Sequence, residues 1–301
     1  MVDAFKNYLK QPQWRQQHSW RKAIWSTMSR IGLSGVHALP MNRRWVDIHR
    51  RKMPLKNLDP ALAGMRVVQI SDLHYSPVVW QRYLVQYIKW VNELEPDMIV
   101  ITGDLITGGY HFAQRVARIL SHLKAPQGVV CTFGNHDYSI YGRNGSSEGK
   151  RRGNYLQECL TDRGLIVLRN QSMHVKRNGA KRPLVIVGLD DEWSGHIDPE
   201  KGFAHVDPDL PIVCLNHNPA NVKELLEYPW QWMLSGHTHG RQVATSKLGR
   251  RLYPHRYRHY THGYYTVAGR HLYVNRGLSY GQRVLDWCRP EVTVFKLAQD
   301  A

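Results

Sequence analysis

Cysteine is scarce in this chain: four residues among 301, Cys131, Cys159, Cys214 and Cys288, with no pair at zinc-site spacing. A secreted disulfide scaffold would be smaller and denser in cysteine, so these four read as reduced packing residues. Long apolar runs are lacking too. No segment approaches the ~20 apolar residues of a membrane-spanning helix, and the first 30 residues hold no uninterrupted stretch like the apolar region of a signal peptide. Nothing repeats internally, so solenoids and propellers find no support. Acids are few, 24 Asp plus Glu against 41 Lys plus Arg, for a formal charge of +17. The excess favours anionic partners: phosphorylated small molecules, nucleic acid or an acidic membrane face. At 42% hydrophobic residues the chain can bury a substantial core, which excludes fibrous and wholly disordered classes. A cytoplasmic protein, peripheral on the inner face of a membrane, is the expected placement.

The charge is concentrated at the front. Residues 1–60 carry 12 Lys or Arg against three acids. Within Ser19–Gly35, Trp20, Ala23, Ile24, Thr27, Met28 and Ile31 recur at helical spacing, with Arg21, Lys22 and Arg30 off that stripe. This reads as a basic amphipathic helix, packed on the body or lying in an anionic lipid interface. Residues 1–60 are therefore expected to be a basic amphipathic N-terminal extension partly packed on the body, and residues 61–301 one catalytic domain.

From Arg66 strand and helix alternate, as βαβ units require. Strands are expected at Arg66–Ser71, Asp97–Thr102 and Gly128–Phe133, with helices at Val79–Leu94 and Phe112–Leu123 between them. Gly142–Gly153 reads as a mobile basic loop. Ile166–Lys176 and Arg182–Leu189 flank a hairpin signal at Arg177-Asn178-Gly179-Ala180. Later strands are expected at Pro211–Leu215, Trp232–Ser235, Gly263–Val267, His271–Asn275 and Val292–Leu297. Trp193, Trp230, Trp232 and Trp287 are expected to be packing residues first.

Polar residues follow the apolar runs. Asp72-Leu73-His74 comes after the first strand, Gly103-Asp104 after the second, and Gly134-Asn135-His136-Asp137 after the third; His217 and Gly236-His237-Thr238-His239 follow later ones. In an α/β sheet the carboxyl ends of strands share one rim, so these groups can converge on a single pocket. Asp supplies hard, bridging oxygen, His supplies imidazole nitrogen, and Asn a neutral carbonyl oxygen. Two divalent ions ~3.5–4 Å apart need a shared anionic ligand, and Asp104 is the candidate bridge. Glycines at 103, 134 and 236 permit tight turns or close approach beside these groups.

The ordered set Asp-x-His, Gly-Asp, Gly-Asn-His-Asp, lone His and Gly-His-x-His resembles the calcineurin-like metallophosphoesterase superfamily, over roughly Met65 to Leu297. The late segments Tyr273–Leu278 and Arg289-Pro290-Glu291, with the basic leader, look like its branch of membrane-associated bacterial phosphoesterases and UDP-2,3-diacylglucosamine hydrolases. The resemblance implies a four-layer α/β/β/α sandwich with a dinuclear centre at the strand ends. It implies that Asp72, His74, Asp104 and His239 hold one ion, and that Asp104, Asn135, His217 and His237 hold the other. His136 would sit beside the scissile phosphate, with Asp137 orienting it, and activated water would attack phosphorus in line. Manganese is the expected metal, with iron, zinc or cobalt as alternatives.

Where related sequences often continue Gly-His-x-His-Gly-Gly-Gln, this chain has Arg241 after Gly240. Arg241 is a candidate phosphate contact or a solvent-facing cation; Arg143, Arg256 and Arg276 are further candidates for phosphate or nucleotide contact. The tract Arg250–Tyr265 is rich in Arg, His and Tyr and suits a nucleotide diphosphate or a nucleic-acid backbone, but no nucleic-acid-binding signature accompanies it. The expected substrate is a phosphorylated, lipid-linked small molecule such as UDP-2,3-diacylglucosamine, cleaved to UMP and an acyl-sugar phosphate. Alternatives are a general or cyclic-nucleotide phosphodiesterase, and a non-catalytic, metal-stabilised module that binds nucleic acid or membrane. Oligomeric state is not legible in the sequence.

Overall fold

In a computed structural model the described residues are 46–77, 79, 81–140, 147–240, 259–279 and 289–300. Two six-stranded sheets stack face to face. The strands are β1 Asp47–Leu55, β2 Arg66–Ile70, β3 Met98–Thr102, β4 Val129–Thr132, β5 Ile166–Val167, β6 Gln171–Val175, β7 Leu184–Gly188, β8 Ile212–Leu215, β9 Trp232–Ser235, β10 Gly263–Val267, β11 Arg270–Val274 and β12 Glu291–Gln299. The first sheet runs β1-β12-β2-β3-β4-β5 and the second β10-β11-β9-β8-β7-β6. Helices α1 Gln81–Glu93, α2 Ala113–Leu120 and α3 Ser147–Thr161 belong with the first sheet, and the short α4 Pro199–Phe203 with the second.

Side-chain alternation builds the layers. Along β3, Met98 and Val100 point into the core between the sheets, where Ile186, Val213, Leu234 and Phe295 meet them. Ile99 and Ile101 point the other way, onto Leu84, Ile88 and Val91 of α1 and Val116 and Leu120 of α2. Val187, Cys214 and Met233 of the second sheet likewise face outward onto Phe203, Val222 and Leu225. A strand buried on both faces reads as a near-continuous apolar run, which is why β3, MIVIT, and β7, LVIVG, are so plain in the sequence. The result is an α/β/β/α sandwich. Trp230 and Trp232 are buried in it.

β2, β3, β4 and β5 run parallel, as do β7, β8, β9 and β11. Their carboxyl ends therefore open on one rim in each sheet. The hairpin expected around Arg177–Ala180 forms, with β6 and β7 antiparallel from Gln171↔Gly188 to Val175↔Leu184.

Two expectations change. β1 lies inside the presumed extension, yet pairs in parallel with β12 along its whole length, Asp47↔Glu291 to Leu55↔Gln299. The sandwich therefore begins by Asp47 rather than at residue 61. The presumed loop Gly142–Gly153 is helical from Ser147 onward, because α3 starts there. The basic helix of Ser19–Gly35, Trp80, Trp287 and most of the Arg250–Tyr265 tract lie outside the described residues.

Candidate dinuclear metal site

The strand-end turns bend sharply. Asp72, His74, Asp104, His237 and His239 all have positive φ, between 44° and 71°. That left-handed region costs most residues energy, but Asp and other short polar side chains tolerate it, and such strain collects at functional sites. Each bend turns its side chain back over the rim. The backbone of these turns is cross-linked: Asp72 N–H donates to Gly103 O (3.0 Å), His74 N–H to Asp104 O (2.9 Å), and Gly236 N–H to His217 O (3.0 Å).

Close approach explains three glycines. A Cβ on Gly103 would fall within 3.0 Å of His217 and of the Gly134 nitrogen; on Gly134, within 3.0 Å of Asp104 Oδ1 and His217 Nε2; on Gly236, within 3.0 Å of Ser71 Oγ and Asp72 Oδ2. Gly277, φ 79°, makes the same kind of approach to the Asp72 side chain, a contact its sequence surroundings did not advertise.

Two groups of ligand atoms result. Asp72, His74, Asp104 and His239 offer atoms within 4.8 Å of one another, and Asp104, His217 and His237 do the same. Asp104 belongs to both. Its Oδ2 stands 3.4 Å from His74 Nε2 and 3.2 Å from His217 Nε2, while its Oδ1 accepts the His136 N–H at 2.9 Å. His74 Nε2 lies 3.1 Å from His239 Nε2, and His217 Nε2 lies 3.2 Å from His237 Nδ1. Two neutral imidazole lone pairs cannot face each other so closely without a proton or a cation between them.

The donor set fits divalent ions. His217 Nδ1 sits 2.7 Å from Thr102 O; a carbonyl only accepts, so Nδ1 carries the proton and Nε2 is left as the ligand atom, the usual backing for a metal-bound imidazole. Asn135 donates its Nδ2 to Ile140 O at 2.5 Å. Its Oδ1 is buried and has no hydrogen-bond partner among the described residues, as a ligand oxygen awaiting a cation would be. Asp72, Asp104, His74 and His217 are essentially inaccessible to solvent, and buried carboxylates require compensating charge.

The electrostatics agree. Burial alone would make the His217 imidazolium costly, but the Asp104 carboxylate against it, with Asp72 and Asp191 nearby, raises the ring to about 10. Against its own burial, Asp104 is held well below the usual carboxylate range by His217, His136 and His74. Burial and the neighbouring imidazoles push His74 and His237 well below the ordinary histidine range, leaving their lone pairs free of protons at neutrality. Burial lifts Asp191 to about 8.

His136 is half-buried, its ring T-shaped against His74 at 4.6 Å. Asp137 is placed differently from expectation. Its carboxylate accepts N–H groups from Asp104 (2.9 Å), Leu105 (2.8 Å), Ile106 (3.2 Å) and Gly134 (2.9 Å). It therefore shapes the Asp104 turn, while His136 takes its bearing from Thr107 O, 3.3 Å from Nδ1. Four N–H donors favour the anion; burial and Asp104 work against it and push its carboxyl up.

Arg276 also receives a correction. It is 7% exposed and donates to Glu291 Oε2 (2.6 Å) and Asp47 Oδ2 (3.0 Å), so it is a structural cation joining β1, β12 and the turn after β11 rather than a substrate contact. Arg143, Arg241 and Arg256 lie outside the described residues. Trp193, expected as a packing residue, is half-buried and packs against the outer core of the first sheet, where it also meets the His237 ring edge-on at 4.7 Å.

A two-sheet sandwich whose strand-end turns gather two ligand groups around one shared aspartate defines the dinuclear metallohydrolases of phosphoesters. Residues 65–241 match the calcineurin-like phosphoesterases, and the chain belongs to that family; its domain is that of a metal-dependent hydrolase. It is 35% identical over 239 residues to the uncharacterized metallophosphoesterase YkuE of Bacillus subtilis, covering 78% of this chain and 79% of that one. It is 31% identical to the UDP-2,3-diacylglucosamine pyrophosphatase LpxG of Chlamydia muridarum, over 78% of this chain and 84% of that one. To the phosphodiesterase YaeI of Escherichia coli it is 30% identical, over 84% and 88% respectively. No helix among the described residues is long and apolar enough to cross a membrane.

Proposed function

We propose that this chain hydrolyses the pyrophosphate bond of a lipid-linked sugar nucleotide, with UDP-2,3-diacylglucosamine the leading candidate, releasing UMP and an acyl-sugar phosphate. Hydrolysis at phosphorus rests on one observation above others: the Asp104 carboxylate belongs to both ligand groups, its Oδ2 being 3.4 Å from His74 Nε2 and 3.2 Å from His217 Nε2, so that it would be shared by two ions. The substrate is supported by the likeness to LpxG, and by a formal charge of +17 suited to a substrate held at an anionic membrane face. The likeness to YaeI favours a second reading, a phosphodiesterase of broader scope.

Asp72, His74, Asp104 and His239 would hold one ion, and Asp104, Asn135, His217 and His237 the other, with manganese first and iron, zinc or cobalt as alternatives. When bound, such a pair supplies Lewis acidity to the phosphoryl oxygens and lowers the pKa of water. The chain's own residues do the rest. His217 and Asp104 are fixed by Thr102 O and by the His136 N–H. Because Thr107 O can only accept, His136 Nδ1 bears a proton. Its Nε2 is thereby the atom that can hold a second proton, stabilise phosphoryl charge and deliver that proton to a leaving oxygen.

Protein stripped of metal and reloaded separately with Mn, Zn or Fe is assayed on bis-p-nitrophenyl phosphate, then on UDP-2,3-diacylglucosamine, UDP, cyclic nucleotides and short RNA with product identification. UMP release confined to the acylated sugar nucleotide supports the leading reading. Equal cleavage of simple diesters supports the broader one, and inactivity at verified two-metal occupancy overturns both. Vesicle flotation of the full chain against a form starting near Arg43 tests peripheral binding at the cytoplasmic membrane face; unchanged binding removes the leader from that role.

A further inference from the structure

His136 stands on the short turn Asn135–Tyr138, and a hydroxyl at the far end of that turn is anchored in a polar network outside the metal cluster. Tyr138 is 0% exposed, and its O–H donates to Asp190 Oδ1 at 2.5 Å. Asp190 lies just beyond β7. Its Oδ1 also accepts the Asp191 N–H (2.9 Å), and its Oδ2 accepts Arg169 Nε (2.8 Å). Arg169 Nη1 then donates to Asn154 Oδ1 (2.8 Å) and Gln157 Oε1 (2.9 Å), both on α3. The Arg169 guanidinium covers the rings of Phe133 and Tyr138, 5.5 and 5.4 Å from their centroids. Gly153 of α3 packs against the Tyr138 ring, so that a Cβ there would overlap it.

No atom of this network belongs to the ligand groups, yet it holds one end of the turn that carries Asn135 and His136. The turn is also supported by the Asp137 carboxylate, by the Asn135 bond to Ile140 O, by the His136 N–H on Asp104 Oδ1 and by the backbone bonds of Ser139 N–H to His136 O and Ile140 N–H to Asn135 O. The Tyr138 side chain adds a tie from the last residue of the turn to Asp190 after β7 and, through Arg169, to α3. A misplacement of ~1 Å at a reacting group is enough to cost up to 10²-fold in rate. We infer that Tyr138, through Asp190 and Arg169, is a positioning residue for the His136 imidazole.

The test compares Tyr138→Phe with Tyr273→Phe. Tyr273 offers a matched control: it is equally enclosed, and its O–H donates to Glu291 Oε1 at 2.6 Å, apart from the Asn135–Tyr138 turn. Both variants lose one phenol–carboxylate hydrogen bond and keep the ring. With two ions retained per chain, Tyr138→Phe is expected to lower kcat on bis-p-nitrophenyl phosphate five- to thirtyfold at a KM within twofold of the parent. Tyr273→Phe should leave both constants within twofold. The kinetic arm rests on the hydrolase reading, so a second readout stands apart from turnover: the His136 ring resonance in zinc-loaded protein, which should move or broaden in Tyr138→Phe and hold in Tyr273→Phe. An unmoved His136 resonance overturns the inference. So does a loss of rate that tracks loss of metal, or one shared equally by the two variants.

Discussion

Replacing Gly134 with alanine adds one methyl group, removes no charge and deletes no ligand. The backbone there is extended, φ −113° and ψ 178°, a conformation alanine adopts freely, so the substitution acts through space alone. The new Cβ would lie within 3.0 Å of Asp104 Oδ1 and of His217 Nε2. Non-bonded carbons settle at about 3.5–4.0 Å; with His217 Nε2 only 2.6 Å from the new Cβ and Asp104 Oδ1 closer still, these ligands or the turn must give way by about 1 Å or more. Metal–ligand distances tolerate about 0.2 Å. The shared aspartate and the second ligand group should thus lose their geometry together, with an overpacking cost of ~1–3 kcal/mol. Metal analysis after dialysis should fall from two ions per chain to one or none, with activity falling in parallel. Gly179→Ala is the control: it has nothing within 4 Å but sits at φ 87°. It should cost about 1–2 kcal/mol of stability and leave metal content alone. Two ions bound to Gly134→Ala with parental affinity would refute the close-approach argument and the site assembled on it.

Three further outcomes follow from the same geometry. His136→Ala keeps the backbone N–H that holds Asp104, so both ions should remain while turnover drops by ~10²–10⁴; equal loss of metal and rate would contradict the role given to the ring. Arg276→Met should lower stability by ~3–5 kcal/mol by stranding Glu291, with KM unchanged; a selective rise in KM would restore Arg276 as a substrate contact. In metal-free protein His217 keeps its proton to about pH 10, against about 6.5 in an unfolded chain. Its contribution to stability is therefore complete below pH 6.5 and lost as pH climbs through 10. Because ions need that ring neutral, apparent metal affinity should rise across the same window. Melting curves of chelated protein between pH 7 and 9 check the first part and metal titrations the second; a chelated Tm that climbs with pH would reverse the sign of the argument.

What was legible in the sequence, and what was not, divides along physical lines. The central strands showed because burial on both faces demands unbroken apolar runs. The rim groups showed because each such run ends on Asp, Asn or His. β1 did not show: DIHRRKMPL exposes residues 48–52 and buries only Met53 and Leu55, as befits a sheet edge protected by charge. Its membership in the sheet is decided by β12, more than 200 residues away. The role of Asp137 was hidden for another reason. Its partners are four backbone N–H groups, which carry no side-chain signature. Arg276 stood in a segment that suggested substrate contact, but its fate is set by Glu291 and by Asp47 at the opposite end of the chain.

The strain at the rim and the Asp137 carboxylate belong to one device. A strand running straight on would carry Asp104 past the sheet, with its side chain over one face. The bend at φ 54° turns it into the space where the two sheets' ends meet. Such a bend leaves the N–H groups of Asp104, Leu105 and Ile106 pointing inward, where no neighbouring strand can pair them. Each would cost ~1–3 kcal/mol if left buried without an acceptor. One carboxylate takes all three and the Gly134 N–H as well, tying the β3 turn to the β4 turn. Gly-Asn-His-Asp is therefore read as two functions in four residues: Asn135 and His136 face the chemistry, while Asp137 faces away and holds the neighbouring turn in the shape that makes Asp104 a bridge.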